Sequence, residues 1–168
     1  MHQSELEKIA LEHEAAKLFM RYYERNTGKA IRHIWHNDPV RPDVSCMFEG
    51  ERLDIEIAHL YGSEEEAMEI LGRDLTDKTR QVLYKLKCEP ADDRLLSSLN
   101  RILENKATKT YQTKRVWLVI RNAHPAWQQE DIKALEDKIL MPTEHVFEKV
   151  WILADMEGKT GIVRIYPA

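Results

Sequence analysis

Cysteine is scarce. Only Cys46 and Cys88 occur in 168 residues, with no CxxC spacing and no companion cluster, which excludes a disulfide framework and a cysteine-based zinc site. Long hydrophobic runs are missing as well. A membrane helix needs about 18 consecutive apolar residues, and the clean apolar stretches here are pieces such as Val116 to Ile120. The opening MHQSELEKIALEHE is acidic, neither the basic-then-apolar pattern of a signal peptide nor an Arg-rich transit peptide. A soluble, cytoplasmic protein with no membrane partner is expected. No internal repeat, low-complexity tract or long linker interrupts the chain, and at 43% apolar residues it is long enough for one sizeable core. We therefore expect a single domain over residues 1–168.

The formal net charge of −4 excludes a protein coated in basic residues, but the average conceals blocks. Residues 1–77 sum to −8, residues 78–115 to +6 and residues 116–168 to −2. A basic middle beside an acidic first half is expected where phosphates meet one surface next to a metal-binding carboxylate cluster. Lysines that merely solvate helix faces produce the same count.

Ser4 and Glu7 form a capping box, and Leu11, Ala15, Leu18, Phe19 and Tyr22 recur at helical spacing up to Gly28. Ala30 to His36 is rich in β-branched and aromatic residues and stops at the turn signal Asn37-Asp38-Pro39, which predicts a first strand. Residues 43–48 and 52–58 flank Glu49-Gly50 and read as a hairpin. Residues 63–87 predict helix in two pieces, broken near Gly72. A further helix is predicted from Asp92 to about Thr110, with Leu95, Leu99, Ile102 and Leu103 as one stripe. VWLVI over 116–120 reads as a buried central strand, followed by a helix over Gln129 to Leu140 and strands at 150–154 and 161–166.

With Glu49 and Gly50 as the loop, Phe48 opposes Glu51 and Asp43 opposes Glu56. Alternation then places Asp43, Ser45, Asp54 and Glu56 on one side of the hairpin. Val44, Cys46, Phe48, Leu53, Ile55 and Ile57 take the other. Opposed like charges on paired strands repel by up to about 1 kcal/mol, so such a pair calls for exposure or a compensating cation. Mg²⁺ or Mn²⁺, which prefers hard oxygen ligands, supplies that compensation, with Asp54 a further ligand candidate on the same side.

Pro42-Asp43, twelve intervening residues, then Glu56-Ile57-Ala58 resembles the PD-(D/E)xK motif of the nuclease superfamily with a restriction-endonuclease-like fold. The resemblance covers roughly residues 5 to 122. It implies an α/β fold with an αβββαβ core: a mixed central sheet flanked by helices, here followed by a C-terminal helix and β-hairpin. It also implies metal-dependent phosphodiester hydrolysis of nucleic acid, with DNA the narrower expectation and Asp43 and Glu56 holding the metal. The motif lysine is replaced by Ala58. Some members of the superfamily supply that lysine from a neighbouring helix, and here Lys106 and Lys109 continue the Leu95–Leu99–Ile102 stripe. In the last turn of a helix such lysines also complement the helix dipole without any catalytic role. Glu14, on the first helix, resembles the acid that many members place there to support the metal.

Arg41, Lys78, Arg80, Lys114 and Arg115 are the candidates for phosphate contacts, which give affinity and salt dependence without sequence specificity. Cutting both strands with one site per chain calls for association, so a homodimer is an expectation. His33 and His36 make an H-x-x-H, but on a strand that spacing sends the rings to opposite faces, and His59 points away from Glu56. Trp35, Trp117 and Trp151 lie in predicted strands, where core packing is the commoner reason for tryptophan, leaving Trp127 as the candidate base contact. The loss of the motif lysine leaves a second reading, an inactive nuclease-like domain that binds nucleic acid or a protein partner. A purely structural or inhibitory protein, with no nucleic-acid affinity, is the third.

Overall fold

A computed structural model describes residues 3–37, 41–62, 67–69, 72, 74–87 and 91–167. The first helix, α1 (Gln3–Thr27), ends where Gly28 takes φ 73° and returns its N–H to Glu24 O at 2.8 Å, a left-handed cap that glycine adopts without strain. Next come strands β1 (Ile31–His36), β2 (Val44–Phe48) and β3 (Glu51–Leu60), then helices α2 (Asp77–Lys87) and α3 (Ala91–Ala107). The chain finishes with β4 (Val116–Asn122), α4 (Gln129–Ala134), β5 (Phe147–Leu153) and β6 (Ile162–Tyr166). Of the first helical piece expected before α2, positions 63–66, 70, 71 and 73 lie outside the described residues.

The six strands among the described residues form one open sheet in the order β1-β2-β3-β4-β5-β6. β1, β2 and β3 run antiparallel, β3, β4 and β5 parallel, and β6 antiparallel to β5. The sheet is mixed and the class is α/β. The crossover helices α3 and α4 lie on one face and α1 on the other, so β4 is covered twice and all seven of its residues are buried.

Alternation divides the core into two layers. Leu53, Ile55 and Ile57 of β3 and Trp117 and Val119 of β4 face α1, which answers with Ala15, Ala16, Phe19, Met20 and Tyr23. Phe19, Tyr23, Phe48, Trp117 and Trp151 form an aromatic cluster there with ring centroids 5.2 to 6.2 Å apart. On the opposite face Ala58, Leu60, Leu118 and Ile120 meet Leu95, Leu99 and Leu103 of α3 and Ile132 and Leu135 from the α4 segment.

The hairpin has the expected register: Phe48 pairs with Glu51, Cys46 with Leu53 and Ser45 with Asp54. Both loop residues have positive φ, 50° at Glu49 and 83° at Gly50, as a two-residue turn matched to strand twist requires. β1 is less regular. Its pairing with β2 slips between Arg32 and Trp35, where His33 takes φ 64°.

The helix expected over 129–140 is shorter. It stops at Ala134 because Leu135 leaves helical geometry at φ −101° and ψ 0°, and a single 3-10 turn over 136–138 follows. Ile132 and Leu135 are buried, Ile139 half-buried and Leu140 exposed, so the apolar spacing that reads as one helix is met by a short helix and a tight turn.

Candidate functional site

Asp43, one residue before β2, and Glu56 in β3 meet as the hairpin register dictates. The Asp43 amide donates to Glu56 Oε1 at 3.1 Å, and the Ile57 amide donates to Asp43 Oδ2 at 2.9 Å. Each carboxyl is thus tied to the backbone of the other strand. Both are buried, on the face that carries α3. Burial first, then the Glu56 charge, push Asp43 up to about 7, against the Ile57 N–H, while Glu12 adds a smaller push in the same direction. Burial would raise Glu56 too, but the charge and hydrogen bond of Lys106, with Asp43 and Arg41, hold it below its ordinary value.

The cation that matters comes from α3. Leu95, Leu99 and Leu103 are fully buried against the sheet, and the same stripe carried one turn further brings Lys106 over Glu56. Its Nζ lies 3.0 Å from Glu56 Oε2 with the side chain only 14% exposed. Tyr111 Oη donates to Lys106 O at 2.7 Å and fixes the end of the helix. Arg41 Nη1 reaches the same Glu56 oxygen from the loop before β2, whose backbone is held by Gln112 N donating to Arg41 O at 3.2 Å. Lys109 lies beyond the helix end, half-buried, and no hydrogen bond joins it to Glu56 among the described residues. Burial, then the positive charges of Lys106 and Arg41, depress its ammonium, with Glu56 opposing.

Two of the sequence candidates for the metal lie elsewhere. Glu14 is 57% exposed and pairs with Arg121 Nη2 at 2.8 Å, away from the acid pair. The acid of α1 that reaches toward Asp43 is Glu12, buried, with Oε2 3.0 Å from His36 Nε2. Its signal is in the sequence: Glu12, Ala15, Ala16, Phe19, Met20 and Tyr23 form the stripe that packs on the sheet, and Glu14 falls outside it. Asp54 shares the face of Glu56 but is engaged by Ser45 Oγ at 2.6 Å and Arg52 Nε at 2.9 Å, one strand pair removed. Among the described residues no three His, Cys, Asp or Glu side chains cluster as a metal-holding group.

Beside the pair opens a cleft of about 1110 Å³, lined by Arg41, Arg52, Asp54, Lys114 and Arg115 among others. Three of the five phosphate candidates, Arg41, Lys114 and Arg115, therefore converge on it. Lys78 and Arg80 do not; they stand exposed on α2. The Arg115 guanidinium is also committed, 2.8 Å from Glu148 and 3.3 Å from Glu51, with its carbon 5.2 Å from the Phe48 ring centroid. Arg52 was not among the candidates. No sequence signal separated it from other strand arginines.

His33 is exposed while His36 binds Glu12, so the H-x-x-H forms no metal site. His59 stacks on Tyr61, and burial and then Arg121 depress its imidazole to about 4, leaving it neutral. Trp117 and Trp151 are buried as expected, but Trp35 and Trp127 reverse the expectation. Trp127 is buried and stacked on His124 at 4.2 Å between centroids, whereas Trp35 is 39% exposed. No helix among the described residues is long and apolar enough to cross a membrane. No protein-family model, curated protein or solved structure matches this chain.

Proposed function

We propose that this chain is a metal-dependent phosphodiesterase acting on nucleic acid, a PD-(D/E)xK-type nuclease in which Lys106 takes the role that Ala58 cannot. The observation that carries this reading is Lys106 Nζ at 3.0 Å from Glu56 Oε2, while Glu56 and Asp43 hold one another through the backbone. The order α1, β1, β2, β3, α3, β4, with an antiparallel hairpin feeding a parallel β3–β4 pair, supports a restriction-endonuclease-like core.

The acid pair fits a divalent cation by its chemistry. Asp43 is pushed up to about 7 by burial and a neighbouring carboxylate, and a cation beside it would favour its ionised form. Mg²⁺ or Mn²⁺ is satisfied by one or two carboxylates, with waters and phosphate oxygens completing the shell. Asp43 and Glu56 would hold it. Bound there, the metal supplies Lewis acidity and a lowered pKa for a coordinated water. The chain's own residues do the rest: Asp43 gives up its proton, and Lys106 keeps Glu56 ionised and stands ready for negative charge developing on a phosphate. Arg41, between the pair and the cleft, positions a phosphate by charge-assisted hydrogen bonds.

One observation favours the second reading. Glu56 already carries two cations, Lys106 and Arg41, which balance the pair without metal in a domain that only binds nucleic acid. Incubating labelled single-stranded and duplex oligonucleotides with the protein in Mg²⁺, Mn²⁺ and chelator separates the two. Metal-dependent cleavage abolished by Asp43→Asn supports the nuclease. Binding with no cleavage in either metal selects the inactive domain.

A further inference from the structure

We infer that the basic cleft takes an unpaired nucleic-acid strand, with one of its bases stacked on Trp35. The inference deepens the nucleic-acid reading above and rests on it for the class of ligand.

Trp35 pairs with Ser45, which pairs with Asp54, so the indole shares the sheet face of Asp54 and Glu56. Trp117, Trp127 and Trp151 are each 9% exposed or less, while Trp35 stands 39% exposed in an edge strand. Its neighbour is held in place. Arg52 lies with its guanidinium carbon 5.6 Å from the Trp35 ring centroid, and Asp54 at 2.9 Å and Ser45 Oγ at 3.2 Å fix that guanidinium. An arginine so fixed pre-organises the indole and joins it to the cleft that Arg52 itself lines.

The cleft's chemistry is that of a phosphate track. Arg41, Arg52, Arg115 and Lys114 line it against the carboxylates of Glu51 and Asp54. Lys114 is exposed and makes no ion pair among the described residues. At about 1110 Å³ the cleft is slightly larger than the roughly 300 to 1000 Å³ that small-molecule sites occupy, and so suits an extended ligand. Cations along a groove with an aromatic ring beside them form the pattern that binds single strands, because every base has a face to stack and the backbone supplies the charge. In a duplex the bases already stack on one another and that face is not offered.

Because the other three tryptophans are buried, Trp35 is the ring that a bound base can quench by contact, against their steady emission. The experiment titrates the full chain, in chelator, with a short oligothymidylate and with a blunt duplex. The expected result is quenching by the single strand, weakened by salt, with the duplex binding more weakly. Trp35→Ala should reduce single-strand affinity roughly five- to a hundredfold by anisotropy of a labelled strand, while Trp35→Phe keeps most of it. Circular dichroism and a melting curve confirm that both variants fold. Equal affinity for duplex and single strand, or a folded Trp35→Ala that binds as wild type, overturns the inference. Because no metal is present, the outcome is separate from cleavage: a protein that cuts in Mn²⁺ without Trp35-dependent binding refutes the stacked strand alone. One that binds through Trp35 and never cuts supports the strand site and refutes the nuclease.

Discussion

Lys106 and Glu56, 50 positions apart in the chain, meet at 3.0 Å between Nζ and Oε2 on the buried face of the sheet. The contact joins the last turn of α3 to the buried acid on β3.

Removing it should cost activity and leave the chain folded. Lys106→Ala should lower metal-dependent cleavage by roughly a hundred- to a thousandfold, the usual effect of losing one preorganised electrostatic partner. Its effect on folding should stay near 1 to 3 kcal/mol, below the cost of stranding a buried carboxylate, because Arg41 remains on Glu56. Single-turnover cleavage and urea denaturation on the same preparation check both. Unchanged cleavage by a folded Lys106→Ala would remove the lysine from the mechanism.

Asp43 ties stability to pH. Its folded-state value, about 7, lies above that of an unfolded aspartate, about 4. The folded chain keeps a proton that the unfolded chain has released between those values. Stability from this group is therefore complete below about pH 4 and declines as pH rises through about 7, by on the order of a few kcal/mol. Glu56, with its value lowered, acts in the opposite sense, its contribution being present above the unfolded range and lost as pH falls through the folded value. Asp43→Asn should flatten the decline in urea midpoints measured from about pH 4.5 to 8. A wild-type profile that rises across that window would contradict the assignment.

Metal binding should release the same proton. Titrated with Mn²⁺ near pH 6, the protein should liberate about one proton per ion, falling toward zero near pH 8.5. Affinity should climb with pH and level off above about 7, the value of Asp43. Calorimetry in two buffers of different ionisation enthalpy reads the proton directly. Binding that persists in Asp43→Asn would place the ion elsewhere.

Leu103, fully buried one turn before Lys106, couples packing to the site. Leu103→Ala should destabilise the fold by about 2 to 5 kcal/mol through lost burial and a cavity. Trp35→Ala, on an exposed ring, should cost much less. Denaturant midpoints for the two variants side by side test the contrast.

The sequence carried the hairpin and its register plainly, because Glu49-Gly50 marks the loop and strict alternation leaves one pairing that keeps Val44, Cys46, Leu53 and Ile55 together. Lys106 was legible for a similar reason: a leucine stripe has a direction, and extending it aims the next residue at the sheet. The helix acid was harder. Glu14 and Glu12 sit two positions apart, and only the choice between two overlapping apolar stripes separates them; Ala15 and Ala16, small and easily passed over, belong to the buried one. Trp35 and Trp127 were exchanged because strand residues are usually core and loop residues usually exposed. The outermost strand of a sheet and a loop folded over His124 invert both rules. Arg52 had no distinguishing pattern, since its contact with Trp35 reaches across an intervening strand.

The slip in β1 shapes an open margin of the sheet. As the first strand of the sheet, β1 presents backbone donors and acceptors that a neighbouring chain would otherwise zip onto. With His33 turned to positive φ and Arg32 and His33 exposed, that margin is twisted and charged, a poor template for strand addition. Concentrated solutions should accordingly resist fibrous self-association through this margin.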